Sequence, residues 1–371
     1  MCPIKTKSMH RMIGNSSLIK YEYQTPSNKI SVPNIIISDF RRDVGEIPDI
    51  ISFCKEFLGR THLSDKQKEA YLAVWGEKGG EWSTKFHEIV LLVGMKGGKN
   101  FWAEGDFAYL CFFYASLKDP HAYFSKIARR GHIPYTIDKT FDVVNVSSVD
   151  ESQARRAFFE SGKRALQNTI DPKRGERWFE KFAGLKLSDQ FGNFKKKEVY
   201  FPTTSGKGGL RLLSFNSKAK APEGMHMLRF YADELSRADT KASYEEATKL
   251  YDLGLNNTRV SFPNNVGKVI GWSYPNQTDY DLTNERYEFS LTSDNTFGIK
   301  ATTVEFNPAI DHSDIENARK DDPIGTACRF ECIKPISQNS FFSPHADRLD
   351  AMIRPEIKNR IQYKIIRTKR N

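Results

Sequence analysis

The stretch LLVGMKGGKN, residues 91–100, decides how the rest of the chain is read. An apolar run from Ile89 to Val93 stops at Gly94. Lys96, Gly97, Gly98 and Lys99 follow before an amphipathic segment, FWAEGDFAYLCFFYA, begins at Phe101. Strand, tight loop and helix are expected in that order. Glycines at such a junction let backbone N–H groups converge on one small space, and the following helix directs its positive end there, so the loop suits an anion. A lysine on the loop points to phosphate. The usual phosphate loop reads Gly, four residues, then Gly-Lys-Ser/Thr. Aligned on Gly98 and Lys99, this chain has Val93 at the first glycine and Asn100 where a hydroxyl would bind Mg²⁺. Taken alone, the loop also reads as an ordinary strand-to-helix turn with a solvent-facing lysine.

A phosphate loop is half of a nucleotide hydrolase; the other half is a pair of acids at the end of a neighbouring apolar strand. LRFYADEL, residues 228–235, has that form. Asp233 would hold the metal and its water shell, and Glu234 would polarise the attacking water. Capping of the next helix is the structural alternative for the pair. Two partial matches in the correct order, each at the C-terminal end of a strand, favour an ATPase. A second Gly-Lys, in TTSGKGGLRLLSF (203–215), is followed by strand-like alternation with no helix, so a hairpin is expected there and Lys207 is set aside.

The whole chain agrees with a large α/β protein. Its 371 residues, 39% hydrophobic, can bury a sizeable core. The formal charge of +10 suits a polyanionic partner, nucleic acid above all. The five cysteines are scattered apart from Cys328 and Cys332, and no histidine cluster completes a zinc-like set, so a reduced intracellular protein is expected. No stretch approaches the roughly 18 apolar residues of a membrane span. Ser64 and Gln67 form a capping-box start to a helix over 63–75. Strands are expected at 140–149 and 266–275, a strand pair at 198–217, a charge-rich surface excursion at 171–198, and helices in YEEATKLYDLGL, DYDLTNERYEFSLT, DHSDIENARK and PIGTACRFECI. This alternation predicts a mainly parallel sheet between helices.

Together, GMKGGKN (94–100), NVSSVDESQARRAFF (145–159), LRFYADEL, GWSYPNQ (271–277) and ACRFECIKPISQNSFF (327–342) resemble the large terminase subunit of tailed bacteriophages, the DNA-packaging motor, over roughly residues 60–345. The family loop commonly reads Gly-Arg-Lys-x-Gly-Lys-Ser; Gly94, Lys96, Gly98 and Lys99 match it, while Met95 replaces the arginine and Asn100 the serine. The resemblance implies an ASCE-type P-loop NTPase fold with a small helical lid subdomain. It implies an N-terminal arm over 1–60, an ATPase core over 61–306, a lid and linker over 307–345 and a basic tail over 346–371 leading toward a nuclease domain that the sequence does not contain.

Under that resemblance, ATP and Mg²⁺ are the expected cofactors. Gly94, Lys96, Gly97, Gly98, Lys99 and Asn100 would bind phosphate, with Lys99 clamping it. Asp233 and Asn100 would hold Mg²⁺, and Glu234 would act as the base. Gln67 would read adenine, with helix capping as its other reading. Ser273 and Tyr274 would couple hydrolysis to DNA movement. A positive charge borrowed from a neighbouring subunit would come from Arg155, Arg156, Lys218 or Lys220. The expected partners are double-stranded DNA, a portal protein and a small terminase subunit, in a homo-oligomeric ring in the host cytoplasm. The competing functional readings are a helicase-like ASCE ATPase and a catalytically silent nucleotide-binding docking module.

Overall fold

The computed structural model describes residues 46–129, 140–147, 158, 160–184, 198–202, 208–216, 224–234, 240–278 and 280–334. Contacts divide the chain into Met1–Ile36 and Ile37–Asn371, and every described residue belongs to the second unit. The arm before residue 46, the tail after 334 and Lys207 all lie outside the described residues.

Seven strands form one sheet in the order β3-β4-β2-β5-β6-β1-β7. They are β1 (Glu88–Val93), β2 (Thr140–Ser147), β3 (Glu198–Pro202), β4 (Gly209–Asn216), β5 (Met227–Asp233), β6 (Lys268–Ser273) and β7 (Thr296–Ala301). All neighbours run parallel except β3 and β4. That antiparallel pair is the hairpin expected around the second Gly-Lys. Strands β1, β2, β5 and β6 are buried at every position. Continuous apolar runs such as IVLLV are what a parallel sheet covered on both faces requires.

Helices α1 (Ile50–Glu56), α2 (Asp65–Trp75) and α3 (Lys99–Ala115) cover one face. Their core is aromatic: Phe53, Trp75, Trp102, Phe113 and Trp272 are all at most 2% exposed. Further along the chain come α4 (Pro120–Ile127), α5 (Glu160–Gln167) and α6 (Trp178–Phe182). Helix α7 (Lys241–Ser261) covers the opposite face against β5 and β6, and α8 (Leu282–Ser290) packs on β1 and β7. Three short helices, α9 (Thr303–Phe306), α10 (His312–Asp321) and α11 (Pro323–Glu331), complete the described chain.

Two elements depart from the sequence reading. The segment 171–184 is no simple surface excursion: Trp178 and Phe179 are buried, and the Trp178 ring sits 4.4 Å from that of Phe112. Its abundant charges hid an aromatic anchor. Strand β7, TFGIKA, was not anticipated, because an edge strand with a glycine and a lysine lacks a continuous apolar pattern.

Buried polar groups anchor the sheet. At the start of β1, Glu88 accepts hydrogen bonds from Arg286 Nε (2.7 Å), Tyr251 Oη (2.8 Å) and Thr296 Oγ1 (3.1 Å), which ties α7, α8 and β7 to one carboxylate. His87 beside it is buried, its Nδ1 2.8 Å from Gly267 O and its Nε2 3.3 Å from Leu255 O. Burial, aided by Arg259, lowers its pKa. The unfolded chain therefore takes up this proton first as pH falls. The His87 contribution should be complete above about pH 6.5 and should be lost progressively as pH drops through the folded value. Urea midpoints measured between neutral and mildly acidic pH should fall, and His87→Gln should flatten that fall.

Candidate functional site

The C-terminal ends of β1, β6 and β5 lie side by side, and the sequence motifs sit on all three. Register aligns Asp233 with Trp272, and Trp272 with Leu91, so β6 stands between the loop-bearing strand and the acidic strand. That interposed strand is the ASCE arrangement. Two strand spacings, about 10 Å, separate the backbone of Asp233 from that of Leu91.

Residues 94–98 form a tight turn into α3. Lys96 (φ 60°) and Gly98 (φ 83°) are both left-handed, and Gly98 is the N-cap with no side-chain cap bond. The first-turn amides of a helix have no partner within the helix, and the N-cap glycine has no side chain to cap them. Gly94 is required sterically: a Cβ there would lie 2.5 Å from Phe330 O and 2.6 Å from Thr303 N. Lys99 is buried, its Nζ donating to Val93 O and Gly94 O at 2.9 Å each. The loop thus folds around its lysine as well as around the turn.

The descending chain clasps the loop from behind. Thr303 Oγ1 donates to Met95 O (2.8 Å), Asn307 Nδ2 to Lys96 O (3.2 Å), and Met95 N to Arg329 O (2.5 Å). Cys332 Sγ lies 3.2 Å from Ala301 O, and Cys328 Sγ 3.2 Å from Pro275 O. Burial pushes the Cys328 thiol up to about 11 and the Cys332 thiol to about 12, so both keep the proton they donate. Both thiols are buried in the core. Thr303, Asn307 and the Arg329 carbonyl were missed in the sequence. Only the capping box of Thr302 and Glu305 marked their neighbourhood.

On the acidic side, Asp233 is buried at the end of β5, and Glu234 follows in the left-handed region at φ 52°, half-buried. The Glu234 N–H donates to Trp272 O at 2.9 Å. A non-glycine residue held there costs about 1–3 kcal/mol, and such strain collects at functional positions. The tip after β6 reaches the lysine: the Tyr274 ring centre is 5.4 Å from Lys99 Nζ, and buried Ser273 donates through Oγ to Tyr274 O.

Asn100 Oδ1 accepts the Trp272 indole N–H at 3.0 Å. A carbonyl oxygen has two lone pairs, so one stays available to a hard cation such as Mg²⁺, and the Asp233 carboxylate supplies the matching oxygen chemistry. Amide and carboxylate oxygens are the donor types that such an ion takes. Gln67 is buried and completes the capping box with Ser64, whose Oγ accepts its N–H and whose N–H donates to its Oε1. Its Nε2 lies 3.6 Å from where a Cβ on Gly98 would stand, so the capping residue also borders the loop. Arg155, Arg156, Lys218 and Lys220 lie outside the described residues.

No helix among the described residues is long and apolar enough to cross a membrane. No curated protein matches this sequence. Among solved structures, the large terminase of bacteriophage HK97 is similar at 14% identity and a TM-score of 0.47, over 76% of this chain and 53% of that one. A large terminase from a thermophilic bacteriophage gives 15% identity and a TM-score of 0.42, over 70% and 50%. The large terminase ATPase domain of Thermus phage P74-26 gives 13% identity and a TM-score of 0.37, over 74% and 99%. The chain spans about half the length of the first two. The family described as uncharacterized protein MJ0330, N-terminal P-loop domain, matches residues 29–332, a span that holds the glycine loop, the acidic strand end and the clasp behind them. The chain belongs to that P-loop family.

Proposed function

We propose that this protein hydrolyses Mg²⁺-ATP and uses the energy to translocate double-stranded DNA, as the motor domain of a terminase-type packaging machine. The observation that carries the hydrolytic part is the shared edge of β1, β6 and β5, with buried Lys99 at the loop and the Asp233 and Glu234 pair one strand beyond β6. In this reading the α3 amides and Lys99 hold the β- and γ-phosphates, Glu234 orients the attacking water, and Asp233 and Asn100 hold Mg²⁺. The bound ion would neutralise phosphate charge. Ser273 and Tyr274, beside Lys99, relay the state of the phosphates outward. Gln67, at the rim of the loop, contacts the base. A positive charge from a neighbouring copy, drawn from Arg155, Arg156, Lys218 or Lys220, completes the site in a ring that docks on a portal and works with a small subunit in the host cytoplasm.

The DNA part rests on the motif resemblance and the +10 charge. It is tested by phosphate release from Mg²⁺-ATP at high protein concentration, with duplex DNA, with single-stranded DNA and with neither. Duplex DNA should stimulate turnover. That stimulation should fall steeply with salt, because phosphate contacts release counterions. Stimulation by single strands alone would favour a helicase-like ATPase, and ATP binding without turnover under every condition would favour a silent docking module.

A further inference from the structure

Trp272 belongs to none of the motif roles described above, yet it touches both halves of the site. It is fully buried on β6, its ring 5.7 Å from Phe158 and 5.9 Å from Tyr231. Its indole N–H donates to Asn100 Oδ1 at 3.0 Å. Its backbone carbonyl accepts the Glu234 N–H at 2.9 Å. An indole nitrogen only donates, so its partner on Asn100 must be the oxygen, and the orientation of that carboxamide is settled by Trp272. The loop residue that departs from the usual hydroxyl is the one the indole holds.

We propose that Trp272 is the positioning residue of this site: its indole N–H sets the Asn100 oxygen for the metal, while its carbonyl holds Glu234 in its left-handed turn. Metal side and base side are then registered through one residue. This rests on the Mg²⁺-nucleotide reading of the loop. Groups that orient a metal ligand through hydrogen bonds are typically worth about 10–100-fold in metal affinity or activity, and an effect of that size is expected of Trp272.

The test compares ADP binding with Mg²⁺ and with EDTA, by calorimetry, in wild type, Trp272→Phe, Asn100→Ala and the double variant. Phenylalanine keeps a ring against Phe158 and Tyr231 and removes only the indole portion that carries the donor. Wild type should bind ADP more tightly with Mg²⁺. In Trp272→Phe that gain should shrink by about tenfold or more, with the affinity in EDTA retained. The double variant should match Asn100→Ala, because the indole acts through the amide. A merely structural Trp272 would lower both affinities together, and that result, or an undiminished Mg²⁺ gain, overturns the proposal. A wild type that binds no ADP in either condition overturns the nucleotide reading itself, and the proposal with it.

Should Trp272→Phe fail to fold, the wild-type indole N–H resonances carry the test. The resonance that moves in Asn100→Ala is that of Trp272. It should also move when Mg²⁺ is added to the ADP complex, and a resonance indifferent to Mg²⁺ overturns the proposal.

Discussion

Glu234→Gln is expected to lower phosphate release by about 10²–10⁴-fold, the usual contribution of a general base, with ATP binding retained. The amide keeps the size and hydrogen-bonding reach of the carboxylate and cannot take a proton. Lys99→Ala should behave differently. Lys99 Nζ sits among the loop carbonyls at 2.9 Å and would bear on the phosphates of the bound state, so its loss should weaken binding as well as turnover. The backbone supplies a second control. Glu234 occupies φ 52°, which glycine adopts without steric cost. Glu234→Gly should therefore unfold at an equal or higher urea concentration than wild type while losing turnover as fully as Glu234→Gln. Stability and activity moving in opposite directions at one position would separate a strained functional residue from a helix cap. If Glu234→Gln turned over ATP at the wild-type rate, the base assignment would be wrong.

The elements that carry the candidate site were legible in the sequence where they are local. The turn from β1 into α3 needs its glycines and lysine within a few residues, and the capping box of Ser64 and Gln67 spans four positions. Asp233 and Glu234 could be read because an apolar strand announces its own end. What could not be read depends on register between distant segments. Trp272 pairs with Asp233 on one side and Leu91 on the other, positions far apart in the chain, and only that pairing brings its indole to Asn100. The clasp of Thr303, Asn307 and Arg329 on the loop is likewise a property of the folded sheet. The aromatic anchor of Trp178 was masked by surrounding charge, and β7 by its mixed composition.

The same kind of long-range contact sets the largest expected loss of stability. Asp106 on α3 is fully buried and accepts from Arg229 Nη1 and Tyr231 Oη on β5, and from Trp75 Nε1 on α2, each at 2.6 Å. One carboxylate therefore joins the helix that follows the phosphate loop, the strand that ends in Asp233 and the helix that carries Gln67. Removing one partner of a buried ion pair costs about 3–5 kcal/mol, because the other charge is left without compensation. Asp106→Ala should lose about that much in urea unfolding, and the Trp75 and Tyr231 donors it strands add to the deficit. Arg229 is the less well satisfied partner: its Nε and second terminal nitrogen find no acceptor among the described residues, although its guanidinium lies 5.0 Å from the centre of the Trp75 ring. Arg229→Met deletes those unmet donors along with the charge. The double variant Asp106→Ala/Arg229→Met should then be more stable than Asp106→Ala alone, a coupling of opposite sign to simple addition and of the size that residues sharing one network show. A double variant as unstable as the sum of the two singles would mean that the pair is held by packing, with the charges contributing little to one another.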